Sequence, residues 1–133
     1  MLKARLDKEL VLKVRNEIGV LAQISKIVAE RGINILAAGA WVEGSQAIVH
    51  LVTDDTLRTS EMLRAKSYAP RETEVVLVEI PHKPGMLKHV TEKLAQAGID
   101  LHHLYVSATT STGNSLIVLA SANNNRAVVV LNS

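Results

Sequence analysis

The chain has 133 residues, with 15 Lys and Arg against 13 Asp and Glu and a formal net charge of +2. That length holds one ordinary domain or two very small ones, and a hydrophobic content of 47% argues against disorder. No cysteine is present, which excludes disulfides, Cys-ligated zinc, iron–sulfur clusters and thiol catalysis.

Residues Leu10 to Arg15 alternate, with Leu10, Leu12 and Val14 on one face and Lys13 and Arg15 on the other, and predict a strand. A polar turn, Asn16-Glu17-Ile18, leads to a helix over Gly19–Arg31 whose apolar stripe is Val20, Leu21, Ile24, Ile27 and Val28. Gly32 stands just past its end, where a left-handed residue is favoured. Ile33–Val42 reads as a second strand, Glu43-Gly44-Ser45 as a hairpin turn and Gln46–Val52 as a third strand. Asp54 or Asp55 can cap a second helix running to about Tyr68. Glu72–Ile80 reads as one long extended segment.

From there the order recurs. Strand Val75–Ile80, turn Pro81–Lys83, helix Pro84–Ala97 and strand Ile99–Ser107 follow one another. A longer turn, Thr109–Asn114, leads to strand Ser115–Ala120, and Asn123-Asn124-Asn125 opens a last short helix. The β-branched run Val128-Val129-Val130 could equally form a strand, but the corresponding place in the first half is a helix.

The two halves align without a gap at an offset of 66 positions: Gly19 on Gly85, Leu21 on Leu87, Ala29 on Ala95, Gly32 on Gly98, Ile33 on Ile99. The fold class expected is therefore α+β, with two ferredoxin-like βαββαβ units in tandem. Residues 1–72 form the first domain with a short N-terminal extension, and residues 73–133 form the second. The second stops after its second helix, so its last strand is expected to be missing.

Such a fold hosts many functions, so the sites must decide. An RNA-recognition domain needs aromatics on its central strands to stack bases. The aromatics here are Trp41, Tyr68 and Tyr105 alone, and none lies on those strands. The nearly even charge balance gives no argument for nucleic acid either. A phosphate-binding enzyme of this fold should carry an Arg in its Gly-rich loop, and the turns 16–18 and 81–83 have none. His102 and His103 point to opposite faces of a strand, and no His pair has helical i, i+4 spacing, so no metal is expected. The histidines are expected at the surface or an interface, and Trp41 in sheet or interface packing. No nucleophile triad is readable, and no cofactor is expected. No run of about eighteen uncharged apolar residues exists, and the charged N-terminus does not resemble a signal peptide, which makes the cytoplasm the expected location.

The helix-start turns carry the remaining information. Asn16-Glu17-Ile18-Gly19-Val20-Leu21 and His82-Lys83-Pro84-Gly85-Met86-Leu87 each place Gly at the head of a helix, where a missing Cβ lets a ligand approach the backbone. Free N–H groups at Gly19, Val20 and Leu21 would favour an anion. Asn34 is expected across from the first turn, and its amide suits both ends of a zwitterionic amino acid. The plainer alternative is that Gly19 and Gly85 relieve crowding and Asn34 caps a turn.

These residues resemble the ACT domain. The carriers are a strand, the Asn16–Leu21 turn and Gly32-Ile33-Asn34-Ile35, then again Pro84-Gly85-Met86-Leu87 and Gly98-Ile99-Asp100-Leu101. The resemblance covers both halves, and the whole pattern is similar to small stand-alone tandem ACT proteins. It implies a non-catalytic regulatory module that binds an amino acid, often at an interface between domains. By that resemblance the ligand carboxylate meets residues 16–21, and Asn16 and Asn34 meet the ligand as side-chain amides. Ile18 departs from the family in standing where Pro is usual. His82 and Asp100 take the two amide positions of the second unit, so the first is the better amino-acid site. The alternative is a regulatory chain acting by protein contact, with a metabolic enzyme or regulator as partner. Strands without a polar face, Val75–Val78 and Leu116–Leu119, point to a homodimer through sheet faces or edges.

Overall fold

In the computed structural model, which describes residues 2–109 and 113–133, six strands and four helices follow one another. They are β1 (Lys3–Arg15), α1 (Val20–Ala29), β2 (Ile35–Glu43), β3 (Gln46–Thr53), α2 (Thr56–Ala65), β4 (Arg71–Pro81), α3 (Met86–Gln96), β5 (Leu101–Thr109), β6 (Asn114–Ser121) and α4 (Asn124–Asn132). The fold is α+β, as the periodicities predicted. The predicted turn over Thr109–Asn114 falls in part on residues 110–112, which lie outside the described residues.

The chain divides into two compact units, one of residues 8–73 and one of residues 1–7 with 74–133. In the first, the strand order is β2-β3-β1-β4, with only the opening residues of β4 contributing. β3 runs antiparallel to both neighbours, pairing Leu10 with Leu51 and Ala38 with Leu51. The alternation read in β1 puts Leu10 and Leu12 into a core with Val49 and Leu51 of β3, Ile24 and Ile27 of α1 and Leu63 of α2. α2 begins at Asp55, whose carboxylate accepts from the Arg58 N–H at 3.0 Å. Its exit is fixed by the Tyr68 N–H donating to the Leu63 carbonyl at 3.0 Å and by Tyr68 Oη donating to Gln23 Oε1 at 2.9 Å.

In the second unit the order is β5-β6-β4-β1, with β1 represented by its first residues. The positions aligned with the first core recur in this one: Val76, Val78, Val90, Ile117, Leu119 and Leu131. Asn123 caps α4 as Asp55 caps α2, accepting from the Arg126 N–H at 3.0 Å, so Val128–Val130 is helical.

The last strand of this unit, expected to be missing, comes from the other end of the chain. Residues 1–7, expected to extend the first domain, belong here instead. Leu2 is buried in the core with Val76 and Leu131, and Ala4 packs on it. Asn132 of α4 reads the Ala4 backbone with both ends of its amide: the Ala4 N–H donates to Oδ1 at 2.8 Å, and Nδ2 donates to the Ala4 carbonyl at 2.9 Å. Arg5 Nη1 adds an exposed ion pair to Glu79 Oε2 at 3.8 Å. The physical reason is that β1 is longer than the alternation starting at Leu10 suggests. Its first residues, Lys3-Ala4-Arg5-Leu6, alternate only briefly before the charged run Asp7-Lys8-Glu9 interrupts the pattern.

Val75–Val78 and Leu116–Leu119 are buried in a single chain, so their apolarity does not itself call for a second copy. Among the described residues no helix is long and apolar enough to cross a membrane.

Candidate functional site

β1 ends at Arg15, and Asn16 turns the chain over the β2–β3 hairpin, its N–H donating to the Ser45 carbonyl at 2.9 Å. Gly19 is the N-cap of α1 at φ +87°, and Gly85 is the N-cap of α3 at the same φ. L-residues with a side chain disfavour that region, which is why both copies hold glycine. A Cβ built on either meets no atom within 4 Å. Relief of crowding is therefore not the reason for these glycines, and the space in front of each is open.

The helix-start N–H groups are partly used. The Val20 N–H donates to the Glu17 carbonyl at 3.2 Å, which corrects the expectation that it is free. The Gly19 and Leu21 N–H groups have no protein acceptor among the described residues. They stand at the positive end of the helix dipole, with no acidic side chain in the first turn of α1.

In front of them lies a groove of about 270 Å³. One wall is the predicted turn: Asn16, Glu17, Gly19, Val20 and Leu21. The other wall was not foreseen and is made of Trp41 and Val42 of β2 with Ala47 and Val49 of β3. Register explains part of this wall. Val42 pairs with Ala47 and Ala40 with Val49, so these side chains share the face that Val49 gives to the core. Small residues at 40 and 47 leave room there. Trp41 points to the other face, where its ring stacks on His50 at 4.9 Å between centroids. Trp41 still lines the groove and stays 43% exposed. Ile18 does not line the groove and projects fully into solvent.

Asn34 is not brought to this turn. β3 runs from Gln46, opposite Arg15, to Thr53, opposite Ile35, so Asn34 sits at the far end of the sheet. It is held there by its N–H donating to Asp54 Oδ1 at 3.0 Å and by its carbonyl accepting from the Asp54 N–H at 3.1 Å. The ten residues of α1, about 15 Å of helix, separate it from Gly19. Asp100 is displaced in the same way, its carbonyl taking the Ala122 N–H at 2.9 Å beyond the end of β6.

In the second unit His82, Lys83, Pro84, Gly85, Met86 and Leu87 stand together at the start of α3. The Lys83 N–H donates to the Pro81 carbonyl at 3.1 Å, and His82 Nδ1 lies 3.0 Å from Ser115 Oγ. The N–H groups of Gly85, Met86 and Leu87 have no protein acceptor among the described residues. Met86 turns into the core, while Leu87 stays exposed.

His50, expected with the other histidines at the surface or an interface, is not at the surface of the chain. It is buried, and its Nδ1 lies 2.9 Å from Oε1 of Glu9, itself fully buried and accepting from Thr73 Oγ1 at 3.2 Å. An acid inside β1 gave no sequence signal, because alternation alone places Glu9 on the polar face with Lys13.

Residues 8–64 match the family model described as the ACT domain. No curated protein matches the chain in sequence. Among solved structures, a protein from Bacteroides thetaiotaomicron is similar at 23% identity and a TM-score of 0.86, covering 97% of this chain and 88% of that one. The regulatory subunit of aspartate kinase from Thermus thermophilus, in its ligand-free form, is similar at 16% identity and a TM-score of 0.67, covering 97% and 94%. A structure of aspartokinase alpha and beta subunits is similar at 20% identity and a TM-score of 0.63, covering 98% and 95%.

Proposed function

We propose that the protein is a non-catalytic regulatory module that binds a small amino acid at the head of α1, and that residues 74–133 with 1–7 form a second ACT domain in tandem with the first. The observation that carries the reading is the groove itself. Unused N–H groups of Gly19 and Leu21 face open space at a helix N-terminus, beside a mostly apolar wall. A carboxylate suits the amides, and a side chain suits Trp41, Val42 and Ala47. The ACT match over residues 8–64 and the regulatory subunits that share the fold support this role.

A second copy completes the site. β2 is an edge strand whose one charge is Glu43 at its end and which contains no proline, the kind of edge that invites pairing. Antiparallel pairing of two β2 edges in the register that sets Ala38 opposite its own copy puts the second copy's Asn34 beside Val42 of the first, and so at the groove. The amide that is too far away within one chain then reaches the ligand's ammonium from the other. Ile18, Leu21, Trp41 and Val42, all exposed, become covered.

Screening the common amino acids by thermal shift tests the reading. A ligand present at about 100 times its Kd adds about 2.7 kcal/mol of stability. One amino acid should raise the melting temperature saturably in the wild type and not in Gly19→Val. A flat response to every amino acid favours the second reading, a chain that acts by protein contact alone, for which the exposed Ile18 and Trp41 are the supporting observation.

A further inference from the structure

A second groove, of about 180 Å³, lies on the sheet of residues 8–73 and is lined by Val11, Lys13, Ala69 and Arg71. Val11 is buried and forms its floor, while Lys13 and Arg71 are exposed. Two basic residues thus line one small concavity. Neither has an ion-pair partner or a side-chain hydrogen bond among the described residues. Like charges held on one groove repel, and among the described residues no acid forms an ion pair with either. The next residue on that face of β1 is Glu9, and its Oε1 is engaged by His50 at 2.9 Å and Thr73 at 3.2 Å. Arg15, on the other side of Lys13, is taken by Glu17 at 3.8 Å.

The rim is also held in place. Ser67 adopts φ +69° after α2, an uncommon conformation for a residue with a side chain. Arg64 Nη2 donates to the Pro70 carbonyl at 2.7 Å, and Tyr68 is tied to Gln23. Ala69, between them, is therefore fixed, so the ordering that binding must supply is confined to the Lys13 and Arg71 side chains.

We propose that the groove between Lys13 and Arg71 binds a divalent oxyanion, the phosphate group of a small phosphomonoester or inorganic phosphate. Size and charge choose this class. The groove, about 180 Å³ and open to solvent, has room for a phosphoryl group. A phosphomonoester carries a charge of about −1.5 to −2 at neutral pH, which balances two cations, whereas one carboxylate leaves a cation unmatched. Two side chains that line one groove, a planar guanidinium and an ammonium, can give a fork and a point charge to a tetrahedral anion. The proposal does not depend on the amino-acid reading, because no residue of this groove lines the other.

The test is calorimetric titration of the full chain at constant ionic strength with inorganic phosphate, methyl phosphate and acetate, on the wild type, Lys13→Gln, Arg71→Gln and Arg15→Gln. Both cations are exposed, so the variants should keep the wild-type circular dichroism. Phosphate or methyl phosphate should bind saturably and about tenfold or more tighter than acetate. Each of Lys13→Gln and Arg71→Gln should weaken it about tenfold, with Arg15→Gln unchanged. Preference for methyl phosphate over inorganic phosphate assigns the site to a phosphorylated metabolite, and the reverse assigns it to the free ion. Heat of binding no greater than an equal ionic strength of chloride produces, or an equal loss in Arg15→Gln, overturns the proposal.

Discussion

Replacing Gly19 by Ala separates the two things this position does. The native φ of +87° costs a residue with a Cβ about 1–2 kcal/mol. No atom lies within 4 Å of the added carbon, so no packing term should add to that strain. A loss of about 1–2 kcal/mol in a chain of 133 residues lowers the melting temperature by about 3–10 °C. Gly85→Ala, at the same φ and with the same open space, should cost as much. The methyl group also projects into the space that a carboxylate would use, so Gly19→Ala should bind the amino acid more weakly. Gly85→Ala should leave binding at the first groove unchanged. Urea unfolding of both variants, with a ligand titration on each, reads stability and binding separately. If Gly19→Ala is as stable as the wild type, the left-handed cap is not needed. If both variants lose binding equally, the groove at α1 is not the site.

Other expectations follow from single contacts. Asn132→Ala removes both bonds to the Ala4 backbone and should cost about 1–2 kcal/mol; limited proteolysis should then cut within residues 1–7 faster than in the wild type. Asp55→Ala and Asn123→Ala each remove one helix cap and should each cost about 1 kcal/mol by urea unfolding. Leu63→Ala and Leu131→Ala open cavities at matching places in the two cores and should each cost about 2–5 kcal/mol. Trp41→Ala should weaken amino-acid binding in the thermal-shift assay while leaving the phosphate response of the Lys13–Arg71 groove intact.

Much of the architecture was legible because alternation and helical stripes report burial directly. Leu10, Leu12, Ile24 and Ile27 all lie in the core that their spacing implies. The starts of α2 and α4 were legible too, since short side-chain acceptors favour helix N-caps, but only the structure chooses Asp55 over Asp54 and Asn123 among three asparagines. The strand from Lys3 to Asp7 was not legible. Its pairing partner lies more than seventy residues away in the chain, and its own alternation is brief before the charged run Asp7-Lys8-Glu9. Nor could the position of Asn34 relative to the turn be read. Local sequence shows that it follows α1, but only the register of β2 on β3 shows that this is the opposite end of the sheet. The apolar wall from Trp41 to Val49 was hidden similarly. Alternation marks Ala40, Val42 and Ala47 as inward-facing, and only the placement of α1 leaves them uncovered at one end.

The most direct measurement is an amide-resolved NMR titration of the full chain with the amino acid that gives the largest thermal shift. The cradle at α1 predicts that the Gly19 and Leu21 amide signals move furthest, saturating together with the Trp41 indole. Saturable shifts centred elsewhere in the chain, with Gly19 and Leu21 unmoved, would contradict it.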